Sequence, residues 1–391
     1  MSTQIVIGLG YGDEGKGLAT DYLSRRAAHP VVVRFSGGHQ AGHTVVSTKG
    51  ERHVFSGIGA GTFQGAPTFW SRYCTFSPPA LLNEHQALSK LGYPPRIFVD
   101  ALCPVTTPYD IAYNQLLERS QRHGSCGVGF GATVARHSET PYRLFAQDLA
   151  FPAVVQQKLK AIEQYCVRKA NGLLSAENLK EEVMAWQEQL PAVLKRIHLT
   201  SETCFFERYQ NADFIFEGSQ GILLDMDHGF FPNVTRAHTT SRNAQAIIRR
   251  NGLPEPEVFC ITRAYQTRHG NGFLSNEGIP ASLVINPKET NQENEWQGAL
   301  RYGTLDVDLL RYALQSESNY SAGQKRHLFL TCLDQLQGPL QATLSGKRHT
   351  YQTPDLIARL LPGITGIVYQ SYSDDGQQVK VATFTAKAIG K

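Results

Sequence analysis

The sequence predicts an α/β fold with a large, mostly parallel central sheet flanked by helices. Two observations carry this. Short β-branched apolar runs alternate along the chain with stretches whose apolar residues recur at three- and four-residue intervals. A glycine-rich turn of the pattern G-x-x-x-x-G-K, Gly10 to Lys16, joins the first apolar run to the first helical pattern.

The first strand is expected at 5–9, and the helix after the glycine-rich turn at 17–28. A second apolar run at 31–35 ends in another glycine-rich segment, and a third falls at 96–99. Helical periodicity then covers 109–122, 153–170 and 176–197; the last two form a mostly helical insertion, about 151–200, on the sheet. Strands follow at 214–216 and 258–261 with a helix at 241–250 between them. A helix at 306–315 precedes strands at 328–330, 367–369 and 379–384. The polar stretch 286–295 reads as a mobile loop. No internal repeat or low-complexity segment interrupts the pattern, and residues 1–391 are read as a single domain.

Composition narrows the class. A net charge of +4 spread over 391 residues offers no basic groove for nucleic acid, while small anionic substrates remain compatible. No apolar stretch approaches the ~18 residues a membrane helix needs, and the chain enters a strand pattern at once, so a cytoplasmic protein is expected. The seven cysteines are scattered without a C-x-x-C pair and indicate neither a disulfide framework nor a zinc site.

The chemistry begins in the first loop. In a P-loop, glycines let backbone N–H groups face phosphate oxygens, lysine adds charge, and a Ser or Thr after the lysine binds Mg²⁺. Here that position is Gly17, and the nearest oxygen ligand is the carboxylate of Asp13 inside the loop. A carboxylate among phosphates must meet a metal or take a proton, which makes Asp13 the first candidate for chemistry. After the second strand, 36–44 combines glycines with His39, His43 and Thr44. It is either a turn with satisfied histidines or a site where an imidazole meets a phosphate. A further glycine-rich loop at 124–131 fits an anion nest or a surface loop equally well. Asp225, Asp227 and His228, after a strand end carrying Glu217-Gly218-Ser219-Gln220-Gly221, read as structural more readily than as a metal site. Asp334, just past a strand, can accept from guanine N1–H and its exocyclic amine, and Ser371 follows another strand.

Together these segments closely resemble the adenylosuccinate synthetase family. The resemblance rests on G-D-E-G-K-G, G-G-H-x-A-G-H-T, E-G-x-Q-G-x-L-L-D-x-D-H-G, P-x-V-T, A-Y-x-T-R-x-G-x-G and T-x-L-D, in that order, across residues 3 to about 340. It implies a GTP- and Mg²⁺-dependent carbon–nitrogen ligase that joins L-aspartate to C6 of inosine monophosphate through a 6-phosphoryl intermediate. By the same resemblance Asp13 is the catalytic base and a Mg²⁺ ligand, with the Gly42 backbone completing the metal shell, and His43 is the catalytic acid. Gly12, Glu14, Gly15, Lys16, Gly17, Gly42, Thr44, Cys332, Asp334 and Ser371 are implied to meet GTP. Asp13, Lys16, Gln40, Cys126, Gln220 and Thr235 are implied to meet the purine acceptor, and either Arg136 or Arg143 to reach the acceptor phosphate of a neighbouring subunit in a homodimer. A segment that members carry before their C-terminus is expected to be missing.

Some positions depart from the family. Where members carry paired threonines and a run of arginines to clamp the amino acid, this chain has Gly298 and, as its one arginine, Arg301. Gln40 stands for asparagine, Cys126 for threonine, and Cys332 for the lysine before Asp334. One guanidinium takes one carboxylate in bidentate fashion, so the amine donor is the open end of the reading. The alternatives are a diaminopurine-branch synthetase with a (deoxy)guanylate acceptor, and a GTP-binding member without ligase activity.

Overall fold

The computed structural model describes residues 1–382 except 281 and 292. At its centre lies a ten-stranded sheet. In chain order the strands are β1 (Thr3–Gly8), β2 (Pro30–Arg34), β3 (Thr68–Trp70), β4 (Ile97–Asp100), β5 (Ile197–Thr200), β6 (Asp213–Glu217), β7 (Glu257–Arg263), β8 (Arg326–Thr331), β9 (Val368–Gln370) and β10 (Lys380–Ala382). Their spatial order is β10-β9-β8-β7-β1-β6-β2-β3-β4-β5. Every neighbouring pair is parallel except β9 with β10. The central strands are apolar throughout because helices cover both faces: Ile5, Val6, Ile7, Phe214, Ile215 and Phe216 are fully buried, with successive side chains entering opposite cores.

The topology positions the site. From β1 the chain crosses to β2 beyond β6, and later returns to β7 on the other side of β1, so β1 lies at a switch point. Ligands of open parallel sheets bind at such a point, outside the carboxyl ends of the strands. There the loops 9–15, 35–42, 218–221, 264–265, 332–335 and 371–374 gather, each following a strand of this sheet.

The helices are α1 (Lys16–Arg26), α2 (Pro78–Lys90), α3 (Pro108–Gln121), α4 (Phe130–Glu139), α5 (Pro152–Lys169), α6 (Lys180–Leu194), α7 (Glu202–Arg208), α8 (Arg242–Arg250) and α9 (Val307–Ser321). The periodicity expected over 176–197 runs through two states: α6 ends at Leu194, and residues from Ile197 pair with β4 as the edge strand β5. α5 and α6 pack through Val155, Leu159, Ile162, Trp186 and Leu190 into a second core that includes α2 and strand β4. In the stretch 286–295, expected as a mobile loop, residues 286–291 line the cavity above the first loop. Among the described residues, no helix is long and apolar enough to cross a membrane.

Candidate active site

The loop after β1 is held by its own carboxylate. Glu14 Oε1 accepts from the backbone N–H of Gly10 at 3.0 Å and Gly12 at 2.9 Å, while Oε2 meets Lys16 Nζ at 2.5 Å. All of Glu14's side chain is thereby spent inside the loop, so the expected contact with phosphate falls to its backbone alone. Lys16 is buried but still lines the cavity above the loop. α1 starts at Gly15, in the left-handed region at φ 94°, with no side-chain cap, so its first amides are left for an anion.

Asp13 is the strained member. Its φ is 61°, in the left-handed region, where an aspartate is uncommon and a functional reason is worth seeking. Among the described residues its carboxylate receives no hydrogen bond; its backbone carbonyl accepts from Arg263 Nε. Burial pushes the Asp13 carboxyl above its ordinary value, against the pull of Arg263 and Lys16. Gly42 lies beside it: a Cβ built there would sit 4.0 Å from Asp13 Oδ1. An unpartnered carboxylate beside a bare backbone suits a hard cation with oxygen ligands, so the residues present fit Mg²⁺.

His43 opens the short strand His43–Val46, which hairpins with Arg52–Phe55. Its Nδ1 lies 2.6 Å from Glu217 Oε1, at the end of β6, and Glu217 Oε2 accepts from Ala60 N–H at 3.1 Å. For Glu217, burial raises the pKa but Arg34 and His43 outweigh it, so the carboxyl stays below its ordinary value and charged. Burial holds His43 below the ordinary imidazole value despite Glu217. The imidazole is therefore neutral near pH 7, with Nδ1–H toward Glu217 and Nε2 left for the cavity. Incoming phosphate charge would favour protonation of that Nε2.

A cavity of about 440 Å³ collects the expected acid His43 with Asp13, Gly15, Lys16, Gly42, Thr44, Cys332 and Asp334, seven of the residues expected to meet GTP or metal. Its far end holds Asp334, Gln335 and the turn Tyr372 to Asp374. Burial, then the charge of Asp374, raises Asp334 above the ordinary aspartate value. Ser371 does not line the cavity; its Oγ donates to the carbonyl of Ser373 at 2.6 Å and shapes the turn that does. Gly17 is also absent from the wall and lies against His43, so close that a Cβ there would sit 2.5 Å from His43 Cβ.

Of the residues expected to meet the acceptor, Gln220 lies across Gly12. A Cβ on Gly12 would lie 3.5 Å from Gln220 Cα, and Gln220 again has a left-handed φ, 62°. Both amide atoms of Gln40 and the Oε1 of Gln220 are buried without a hydrogen-bond partner among the described residues. Buried amides left unpaired are costly, which points to a polar ligand. Cys126 sits in the loop before α4, and Thr235 is anchored by its N–H to the Leu224 carbonyl, next to Val234, whose carbonyl meets His123 Nε2.

Two expectations are corrected. Arg136 cannot reach a neighbouring subunit: its guanidinium is fully buried, paired with both oxygens of Asp110 at 2.8 Å and with the carbonyls of Tyr142 and Val105. Arg143 is exposed and remains the candidate. Arg301 is not a free clamp, since Glu277 already holds its Nε and Nη2; Gly298 lies in the preceding turn, at φ 73°. Asp225 accepts from the N–H of Asp227, His228, Thr239 and Thr240, and ligand atoms of Asp225, Asp227 and His238 lie within 4.8 Å of one another.

Sequence reasoning missed Glu217 as the partner of His43, and Arg263, which joins Asp13 to Glu289 at 3.1 Å. The E-G-x-Q-G run contained the first signal, as a carboxylate at a strand end.

An extended parallel sheet, an uncapped helix N-terminus over a glycine loop and a carboxylate–imidazole pair at one switch point define a phosphate-binding α/β protein of P-loop-like construction. Within that class the assignment is specific: the family model for adenylosuccinate synthetase matches residues 5–345, and the chain belongs to that family. The adenylosuccinate synthetase of Bordetella avium is 33% identical over 287 residues, covering 70% of this chain and 64% of the relative. That of Pseudomonas paraeruginosa is 32% identical over 349 residues, covering 85% and 77%. The chain thus spans 64% of the length of the first of these relatives. Among solved structures, fully ligated adenylosuccinate synthetase from Plasmodium falciparum superposes with a TM-score of 0.76 at 16% identity, covering 98% of this chain and 100% of that one. Cyanophage S-2L succinoaminodeoxyadenylate synthetase, bound to dGMP and dATP, gives 0.62 at 17% identity, covering 97% and 95%. At these identities both likenesses concern the fold.

Proposed function

We propose that this chain is a GTP-dependent carbon–nitrogen ligase that joins L-aspartate to C6 of inosine monophosphate through a 6-phosphoryl intermediate. The observation that carries the reading is the strained, unpartnered carboxylate of Asp13, raised in pKa, between a phosphate loop and an imidazole backed by a buried carboxylate. Asp13 takes the purine N1 proton, which makes O6 the nucleophile toward the γ-phosphorus of GTP. Phosphoryl transfer needs positioning and charge neutralisation, which the loop amides and Lys16 provide. His43 Nε2, protonated once phosphates are near, donates to the transferring group. The donor amine then attacks C6, and phosphate leaves in place of a poor oxygen leaving group. Mg²⁺, held by Asp13 and the Gly42 backbone, would supply charge neutralisation on the phosphates.

Asp334 reads the guanine edge, with Cys332 and the Ser371 turn framing the base; Gln40, Cys126, Gln220 and Thr235 hold the acceptor. Arg143, exposed on the segment after α4, is the candidate to reach the acceptor phosphate of a second copy in a cytoplasmic homodimer. The test is direct. Purified protein with Mg²⁺, GTP, inosine monophosphate and aspartate should release phosphate and develop the succinyl-adenine absorbance. Phosphate release without any acceptor dependence would defeat the reading, and product only with deoxyguanylate would move the acceptor to the diaminopurine branch.

A further inference from the structure

Arg301, the arginine that the resemblance assigns to the amino-acid donor, has every guanidinium nitrogen engaged. Arg301, on the short strand Leu300–Gly303, donates Nε to Glu277 Oε1 at 2.7 Å and Nη2 to Oε2 at 2.5 Å. Its Nη1 donates to the carbonyls of Gly270 and Gly272 at 3.1 and 2.9 Å. Nearby Arg268 is equally committed, donating to the carbonyls of Asn271, Phe273 and Asn233 while lying 4.5 Å over the Tyr11 ring. Glu277 and Arg301 therefore meet in the two-pronged arrangement by which a guanidinium takes a ligand carboxylate. The two halves of this contact differ in permanence. The Nη1 contacts are to backbone and fix the guanidinium plane, whereas Glu277 is a half-exposed side chain on a flexible stem. Its backbone is tied independently, by a bridge to Gly303.

We propose that Glu277 is a built-in competitor: it occupies Arg301 in the free protein and is displaced by a carboxylate of the amino-acid donor, so that it sets donor affinity and selectivity. The proposal rests on the ligase reading above. Exchange of one carboxylate for another leaves the guanidinium paired throughout, and the turn carbonyls keep its Nε–Nη2 edge presented. A donor whose side chain ends in an amide cannot make the exchange on equal terms, because an amide offers one acceptor oxygen where the fork expects two. Hydrogen bonding from Arg301 keeps the Glu277 carboxyl below its ordinary value, so the competitor is charged at neutral pH.

The full chain is compared with Glu277→Gln and Glu277→Ala at saturating GTP and inosine monophosphate. Removing the competitor is expected to lower KM for aspartate about two- to fivefold, the span of an exposed ion pair. KM for both nucleotides should stay within about twofold, and the preference for aspartate over asparagine should fall, because an amide donor then has no carboxylate to displace. Succinate, which carries both carboxylates and no amine, should bind more tightly to both variants by the same factor in calorimetry. An unchanged or raised KM for aspartate with unchanged or weaker succinate binding overturns the proposal; a raised KM would show Glu277 to be a prop for Arg301. If the parent chain shows no acceptor-dependent turnover, the ligase reading fails, and the succinate titration still decides the competition.

Discussion

Glutamine at position 217 would separate the shape of the His43–Glu217 pair from its charge. Glu217 is fully buried and accepts twice, from His43 Nδ1 at 2.6 Å and from the Ala60 N–H at 3.1 Å. A glutamine has one acceptor oxygen and one NH₂ for these two donors. Turned one way, it sets its NH₂ against the Ala60 N–H; turned the other, it drives the His43 proton onto Nε2 and inverts the tautomer. The first arrangement leaves the buried Ala60 N–H unpaired, at about 1–3 kcal/mol, and the second pairs both groups but puts an N–H in place of the lone pair at Nε2. The counter-charge for an imidazolium is lost as well, and burial alone already lowers the His43 pKa. Loss of a positioned acid removes about 10²–10⁴ in rate, so Glu217→Gln should lower kcat by at least about a hundredfold. In the proposed mechanism both side chains act on the transferring phosphoryl group, so KM for GTP and inosine monophosphate should hold within about threefold. Steady-state phosphate release measures both, and a double variant with His43→Asn should fall little below His43→Asn alone, since the two act as one unit. A kcat within about threefold of the parent would refute the positioning role.

Arg136→Met should cost stability without a specific effect on acceptor binding, because it strands Asp110 in the core; breaking such a pair costs about 3–5 kcal/mol, and urea denaturation showing less than about 1 kcal/mol would contradict the burial argument. The acid limb of kcat/KM should lie above the ordinary aspartate value: Asp13 must be ionised to act, its pKa is raised, and activity is therefore lost as pH falls through that raised value. A limb at or below the ordinary value, or one that persists in Asp13→Asn protein with residual activity, removes Asp13 as the base. Gly17→Ser restores the P-loop pattern in sequence yet should lower kcat at least about tenfold, since its Cβ would press on His43 and small displacements of a reacting group are costly; unchanged kcat would show that the hairpin yields freely.

Legibility followed locality. The apolar runs at 5–9, 214–216 and 258–261 were readable as strands because residues buried on both faces leave no polar alternation to confuse the pattern. β3 was not, since only Thr68, Phe69 and Trp70 pair, between Pro67 and Ser71. α2 opens on Pro78-Pro79, and α4 emerges from the glycine loop at Gly129, φ 83°; both starts are good helix entries that look like turns in sequence. The glycine loops that gather at the strand ends were legible because a tight turn between strand and helix is a local demand on the backbone. Partnerships set by the fold were not. His43 meets Glu217 across 174 positions, and the fate of Arg136 was decided by Asp110, which lies under its guanidinium from the preceding helix.

The same contrast explains why the first loop departs from a P-loop. A hydroxyl at position 17 would need a Cβ where His43 now passes, 2.5 Å from its Cβ and 3.0 Å from its Cα. The strand that carries the imidazole thus crosses the first turn of α1 at the place a metal-binding serine would occupy. Once His43 takes that space, an oxygen ligand must come from the loop itself, and the left-handed turn at Asp13 places one there, unpartnered and beside Gly42. A ligase that phosphorylates a purine oxygen needs an acid near the phosphate and a base near N1, whereas a simple nucleotide hydrolase needs neither group in those places. Gly17, which reads in sequence as a missing ligand, is in the structure the clearance that admits His43, the acid of the proposed ligase, and the strain at Asp13 is its counterpart.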